Sequence, residues 1–265
     1  MKKPVLVPTD LSEVASKAIR QAEIIAKKAG TGVTLLHVLN DKSPAEAEVR
    51  MLLEKEAVLT GEVTGIKGEI IIREGTITEI IPQVTCDNCY DLMVIGTHGI
   101  HGIRQAFFGS DILKLLCKLN IPALVVQEES PLLREFHTLL MPVSSHADFR
   151  KEIDAVLLFS SLFDPEIHLY SIYKPGYEWS EQLLKNIEDA KNAFEEKGVR
   201  VKRIKEEQEV YSQGYSRQTL LYAGSSGADL ITIMSSPSED YYYFAQSDKE
   251  SLLTNDLRLP VLCVG

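Results

Sequence analysis

An aspartate opening a short apolar run, with a proline opening another 31 positions later, occurs twice in this chain. Asp91 opens "DLMVIG" and Pro122 opens "PALVV"; Asp229 opens "DLITIM" and Pro260 opens "PVLCV", again 31 positions on. "TLLMPVSS" likewise answers "VLVPTDLS" near the start. A repeat of about 130 residues is a tandem domain, too long for a solenoid unit. It divides the 265 residues into 1–128 and 136–265, with the boundary in the polar, proline-containing "QEESPLLRE".

Within each half, strand and helix patterns alternate. "VLVP", "VTLLHVL", "EIIIRE", "LMVIG" and "PALVV" read as buried strands of the first half. The segments between them are helical. Ala15, Ala18, Ile19, Ala22, Ile25, Ala26 and Ala29 share one face after Ser12, and Gly30 is the stop. "SPAE" (43–46) and "TITE" (76–79) read as capping boxes, the second opening a helix that Pro82 should kink. "SDILKLLCKL" is a further helix. In the second half "EIHLYSIY" and "VRVKRIK" are strands, and "SEQLLKNIEDAKNAFEEKG" and "SRQTLLYAGSSG" are helices. Strands separated by helices require parallel pairing, so the fold class is α/β, two tandem doubly wound domains with five-stranded parallel sheets. "PALVV" and "PVLCV" can pair with each other, giving an intramolecular pseudo-dimer and removing two exposed edges. A homodimer of such chains is a further expectation.

Composition narrows the partners. The chain is 45% hydrophobic and 25% charged, with a net charge of -10. An acidic surface repels phosphate backbones, which argues against nucleic acid. No apolar run reaches the ~20 residues that cross a bilayer. The start, "MKKPVLVPTDLSE", is too short in apolar character for a signal peptide, so the expected location is cytoplasmic, away from membranes. Four cysteines do not make a disulfide framework. Cys86 and Cys89 form a CxxC at the end of a helix, where the dipole opposes thiolate formation, and read as structural or incidental. His98 and His101 lack a third ligand nearby and read as loop residues.

The stretch "GTHGIHGIRQAFFGSD" (96–111) carries the chemistry. It follows the fourth strand at a carboxyl end, where open parallel sheets bind ligands. Gly109 and Ser110 open a helix whose free amides and dipole suit an anion. The spacing is neither GxxxxGK[ST] nor the dinucleotide fingerprint, which would open the first helix. The bland alternative is a ligand-free turn, and for Asp10 a residue that only enters the helix near the Ser12 cap.

G-x2-G-x9-G-[ST], met by Gly96, Gly99, Gly109 and Ser110, resembles the nucleotide motif of the universal stress proteins, as do "VPTDLSE", "LLHVL" and "IPALVV". The resemblance covers the first domain end to end and the second in layout. It implies an ATP- or AMP-binding crevice. Asp10 would hold the ribose or adenine side, Pro8 and Thr9 would line the base, and Val38 would meet the adenine edge through its backbone. Gly96 and Gly99 would give close approach, and Gly109 with Ser110 would bind phosphate. Some features depart from the family pattern. Ile100 stands where a basic residue is frequent, His101 where a small hydroxyl is common, and Arg104 is the one permanent cation of the loop. Asp111, in the first helical turn, competes with phosphate unless Mg2+ bridges the two. In the second domain Ser144, Met234 and Pro237 replace Asp10, Gly96 and Gly99, and Ser247 with Asp248 replaces Gly109 with Ser110. That site is expected to be lost, with Tyr241 to Phe244 filling it. The functional expectation is nucleotide-dependent regulation in stress physiology, with an unidentified protein partner. No positioned base, nucleophile or carboxylate cluster supports hydrolysis. The alternatives are a slow Mg-dependent ATPase and a scaffold that binds no nucleotide.

Overall fold

Short runs rich in β-branched residues become strands, and the amphipathic segments between them become helices. The computed structural model describes residues 1–40, 43–86, 89–97, 109–173, 175–176, 178–207, 214–237 and 246–265. The first half runs β1 Val5–Pro8, α1 Glu13–Ala29, β2 Val33–Leu39, α2 Glu46–Thr64, β3 Glu69–Glu74, α3 Ile77–Cys86, β4 Leu92–Thr97, α4 Gly109–Leu116 and β5 Ala123–Gln127. The second runs β6 Thr138–Pro142, α5 Arg150–Phe163, β7 Glu166–Tyr173, α6 Glu181–Glu196, β8 Val201–Glu207, α7 Gly214–Ser226, β9 Leu230–Met234, α8 Gln246–Leu253 and β10 Val261–Val264.

The strands form one sheet in the order β3-β2-β1-β4-β5-β10-β9-β6-β7-β8. Every pairing is parallel except that of β5 with β10, which is antiparallel and sets Val125 opposite Val261 and Leu124 opposite Leu262. Because that junction reverses the strand direction, the carboxyl ends of the two halves lie at opposite rims of the sheet. Side chains alternate between two apolar layers. One layer packs Val5, Val7, Leu35 and Val94 under α1, α2, α5 and α6. The other packs Leu6, Leu36, Met93 and Ile95 under α3, α4, α7 and α8.

The repeat extends to hydrogen bonding. Asp91 Oδ2 accepts from the amides of Lys2 and Lys3 at 2.8 and 3.1 Å. Asp229 Oδ2 accepts from those of His137 and Thr138 at 2.6 and 2.9 Å. Each aspartate ties the segment entering the central strand of its half. Burial opposes ionisation of Asp91, but these amides and Lys3 outweigh it and lower its pKa.

The helix ends follow the capping expectations at some positions and not at others. Ser12 Oγ accepts from Ala15 N at 3.3 Å, and Gly30 closes α1 in the left-handed conformation at φ 68°. The "SPAE" box does not form. α2 starts at Glu46 with Ala45 as its cap and no side-chain cap bond. Ser43 Oγ instead accepts from Asn40 N at 3.0 Å, closing the loop ahead of the helix. At "TITE" the Thr76 hydroxyl donates to the Glu79 carboxylate at 2.6 Å, and Pro82 lies within α3. The connection between the halves is anchored by the buried Gln21 of α1, which bonds both Leu133 N and Leu133 O.

Candidate functional site

The order of the first five strands reverses between β1 and β4, and a crevice opens where their carboxyl ends diverge. It is a cavity of 220 Å³. Pro8, Thr9 and Asp10 reach it from the end of β1, Val38 from β2, and Gly96 from β4. Five of the residues singled out in the sequence therefore share one wall. The backbone of Gly109, Ser110 and Asp111 forms the first turn of α4. Gly99 lies outside the described residues, as do His98, Ile100, His101 and Arg104.

The turn from β1 into α1 is held by its own side chains. Thr9 N donates to Leu36 O at 2.8 Å, and Thr9 Oγ1 accepts from Leu11 N at 3.1 Å. Asp10 Oδ1 accepts from Ser12 N at 3.0 Å. These bonds hold Leu11 at φ 66°, a left-handed conformation costing a branched-chain residue about 1 kcal/mol or more. Asp10 is exposed, and its second oxygen makes no bond among the described residues. The carboxylate thus serves helix entry with one oxygen, while the residue lines the crevice.

Gly96 has a reason that the sequence reading missed. A Cβ there would sit 2.7 Å from Val14 O and 2.8 Å from Val14 Cγ2, closer than real Cβ atoms approach. The glycine lets α1 settle on β4, so internal packing accounts for it. The same glycine also lines the crevice.

Other lining residues were also missed. His37, 5% exposed, joins its Nδ1 to Thr9 O at 2.8 Å. With Nδ1 donating to that carbonyl, Nε2 of the neutral ring is an acceptor. It is buried and has no partner among the described residues. An unsatisfied buried polar atom costs about 1–3 kcal/mol, which a ligand donor would recover. Ile77 and Ile81 of α3 and Ile95 of β4 supply an apolar side, and Asn40, Ser43 and Pro44 form the lip. A flat apolar slot with a few polar groups at its edge suits a heteroaromatic base. Among the described residues no group of three or more His, Cys, Asp or Glu side chains is placed to hold a metal ion. Cys86 and Cys89 are exposed, with Cys86 ending α3.

The corresponding place in the second half, at the other rim, is nearly closed. Its cavity is 10 Å³, lined by Pro142, Ser144, His146, Ile233, Met234 and Lys249, which is room for about one water. The His146 ring bonds Ser144 Oγ at 2.5 Å and Ser236 O at 2.7 Å, and burial lowers its pKa to about 4. Lys249, at the position that answers Asp111, donates to Ser236 O, and burial lowers its pKa. Glu152, fully buried, accepts from Thr232 Oγ1 at 2.6 Å, and burial pushes its carboxyl up to about 8. Tyr241 to Phe244, expected to fill this site, lie outside the described residues.

The sheet order defines a doubly wound α/β protein with a crevice at its topological switch. Residues 1–127 match the model of the universal stress protein family. The chain is 26% identical over 158 residues to universal stress protein MJ0577 of Methanocaldococcus jannaschii, covering 49% of this chain and 98% of the relative. Universal stress protein MJ0531 of the same organism is 26% identical over 140 residues, covering 48% of this chain and 82% of that one. A universal stress protein structure from Archaeoglobus fulgidus superposes over 98% of this chain and 97% of its own, with TM-score 0.73 and 18% identity. That likeness extends the shared fold across both halves. No helix among the described residues is long and apolar enough to cross a membrane.

Proposed function

We propose that the amino-terminal crevice binds an adenine nucleotide, ATP or AMP, and that the chain acts as a nucleotide-responsive regulator in stress physiology, without efficient catalysis. The observation that carries this reading is the crevice at the β1/β4 reversal, where exposed Asp10 meets an apolar slot walled by Ile77, Ile81 and Ile95. The base would enter the slot against the backbone of Val38, and Asp10 would accept from ribose hydroxyls. Phosphates would follow toward the first turn of α4, where unpaired amides favour anions. Asp111, in that turn, is of a residue type that would share Mg2+ with a phosphate. The -10 net charge works against the phosphates, so the expected affinity is modest.

Isothermal titration calorimetry with ATP and AMP tests this. Wild type is expected to bind at least one of them, and Asp10→Ala to bind about tenfold or more weakly, since it removes a charge-assisted hydrogen bond. Gly109→Val is expected to spare binding of adenosine while weakening ATP, because it crowds only the phosphate end. Negligible heats for the wild type with both nucleotides would favour a scaffold instead.

A further inference from the structure

Helix α2 is apolar on two sides, and only one of them meets the core. Val49, Leu53, Ala57 and Thr60 are buried against the body of the protein. Met51, Leu52, Val58, Leu59 and Val63, with Ile66 just beyond the helix, are exposed. Met51 is 62% and Val58 60% exposed. These six are among ten large apolar residues exposed in the described structure, so the exposed apolar surface is concentrated on one helix. At 3.6 residues per turn the five within the helix fall within an arc of about 140°, roughly opposite the buried face. Helix α6, which holds the same place in the second half, exposes Leu184 alone among its large apolar residues. The stripe is thus a property of α2 and not of the fold.

We propose that this stripe is a homodimer interface in which α2 packs antiparallel against α2 of a second copy about a two-fold axis. Two observations select a second copy of this chain. The first is charge complementarity. Lys55 and Glu62 fall inside the arc, on either side of Val58 and Leu59. A two-fold axis between Val58 and Leu59 places Lys55 opposite the partner's Glu62 and Glu62 opposite the partner's Lys55. The apolar residues then meet at the centre, and Met51 and Leu52 approach the partner's Ile66. A parallel pairing would set like charges face to face. The second is area. The six residues expose roughly 500 Å² of apolar surface, at the upper end for a monomer's largest patch. Two such faces bury about 1,000 Å² before any polar rim is counted, which reaches the threshold for a specific interface. The interface is isologous, so it closes at two copies.

Sedimentation velocity of the full chain from low to high micromolar concentration tests the proposal. Wild type is expected to dimerise, and Leu59→Glu to shift it to monomer with an unchanged far-UV circular dichroism spectrum. Lys55→Glu and Glu62→Lys, each alone, replace two attractive pairs with two repulsive ones and should weaken the dimer on the order of tenfold. The double variant Lys55→Glu/Glu62→Lys restores opposite charges across the axis and should return to within about threefold of wild type. A wild type that stays monomeric overturns the proposal, as does a dimer that survives Leu59→Glu. A double variant as weak as the singles overturns the antiparallel register.

Discussion

Replacing Gly96 by alanine separates two reasons for a glycine at the mouth of a ligand crevice. If the residue were small only to admit a ligand, the ligand-free protein would gain from the change. Alanine in a strand at ordinary φ is favoured over glycine by about 0.5–1 kcal/mol through the unfolded chain. The structure places a new Cβ 2.7 Å from Val14 O and 3.0 Å from Val14 C, so the clash is with helix backbone and not a flexible side-chain tip. Relief requires the start of α1 to lift from β4, an overpacking cost of about 1–3 kcal/mol. The net expectation is a loss of about 1–2 kcal/mol, or roughly 5 °C in melting temperature for a chain of this size. Urea denaturation of ligand-free protein, followed by circular dichroism, measures it. Gly30→Ala is the control, since its φ of +68° is strained but nothing lies within 4 Å of the added carbon. A Gly96→Ala protein as stable as wild type, or more stable, would refute the packing account.

Two further perturbations address buried charge. The Glu152 carboxyl is raised to about 8 by burial. A folded pKa above the unfolded value gives stability that is present at acid pH and lost as pH climbs toward 8. Wild type should therefore lose up to about 1.4 kcal/mol per pH unit between about pH 5 and 8 relative to Glu152→Gln, read from urea midpoints across that range. Lys249 and Cys263 share its surroundings, so parallel slopes for the two proteins would show that Glu152 is already ionised beside the lysine. Between α1 and α2, Arg20 bonds Glu23 and Glu56, each at 2.5 Å, and Glu23 is 2% exposed. Arg20→Ala leaves that carboxylate with Thr60 as its partner and should cost about 2–3 kcal/mol in urea melts. Adding Glu23→Gln should recover most of it, and a double variant no better than the single would count against an uncompensated charge.

Much of the sheet was legible because its signals are local. The runs "VTLLHVL", "EIIIRE" and "EIHLYSIY" coincide with β2, β3 and β7 end to end. Ser12 and Gly30 bound α1 through bonds made within a few residues. Helix α5 had no such mark, since its cap is Phe149 and no side chain closes it. "SPAE" had the mark and lacked the geometry, because the Ser43 hydroxyl was taken by Asn40 N. The crevice was legible on the β1, β2 and β4 side, where residues follow strand ends. Its opposite wall was not, since Ile77 and Ile81 arrive from a helix far along the chain and look like core residues. His37 was hidden in an apolar strand, and a histidine inside "LLHVL" was its only signal. For Gly96, sequence spacing could not distinguish a missing side chain that admits a nucleotide from one that admits Val14.

The reversed junction at β5 and β10 has a mechanical corollary. Helix α4 follows the carboxyl end of β4 and runs to the far rim, where Cys117 donates to Ser235 O at 3.1 Å, next to the closed cavity. Helix α8 runs the other way, starting near Lys249 and ending where Gln127 Nε2 donates to Asn255 O at 3.1 Å. The two helices pack against each other and run in opposite directions across the sheet. The two halves are thereby bonded to each other at both rims, through Cys117 at one and Gln127 at the other, so the seam between them is wider than the two junction strands.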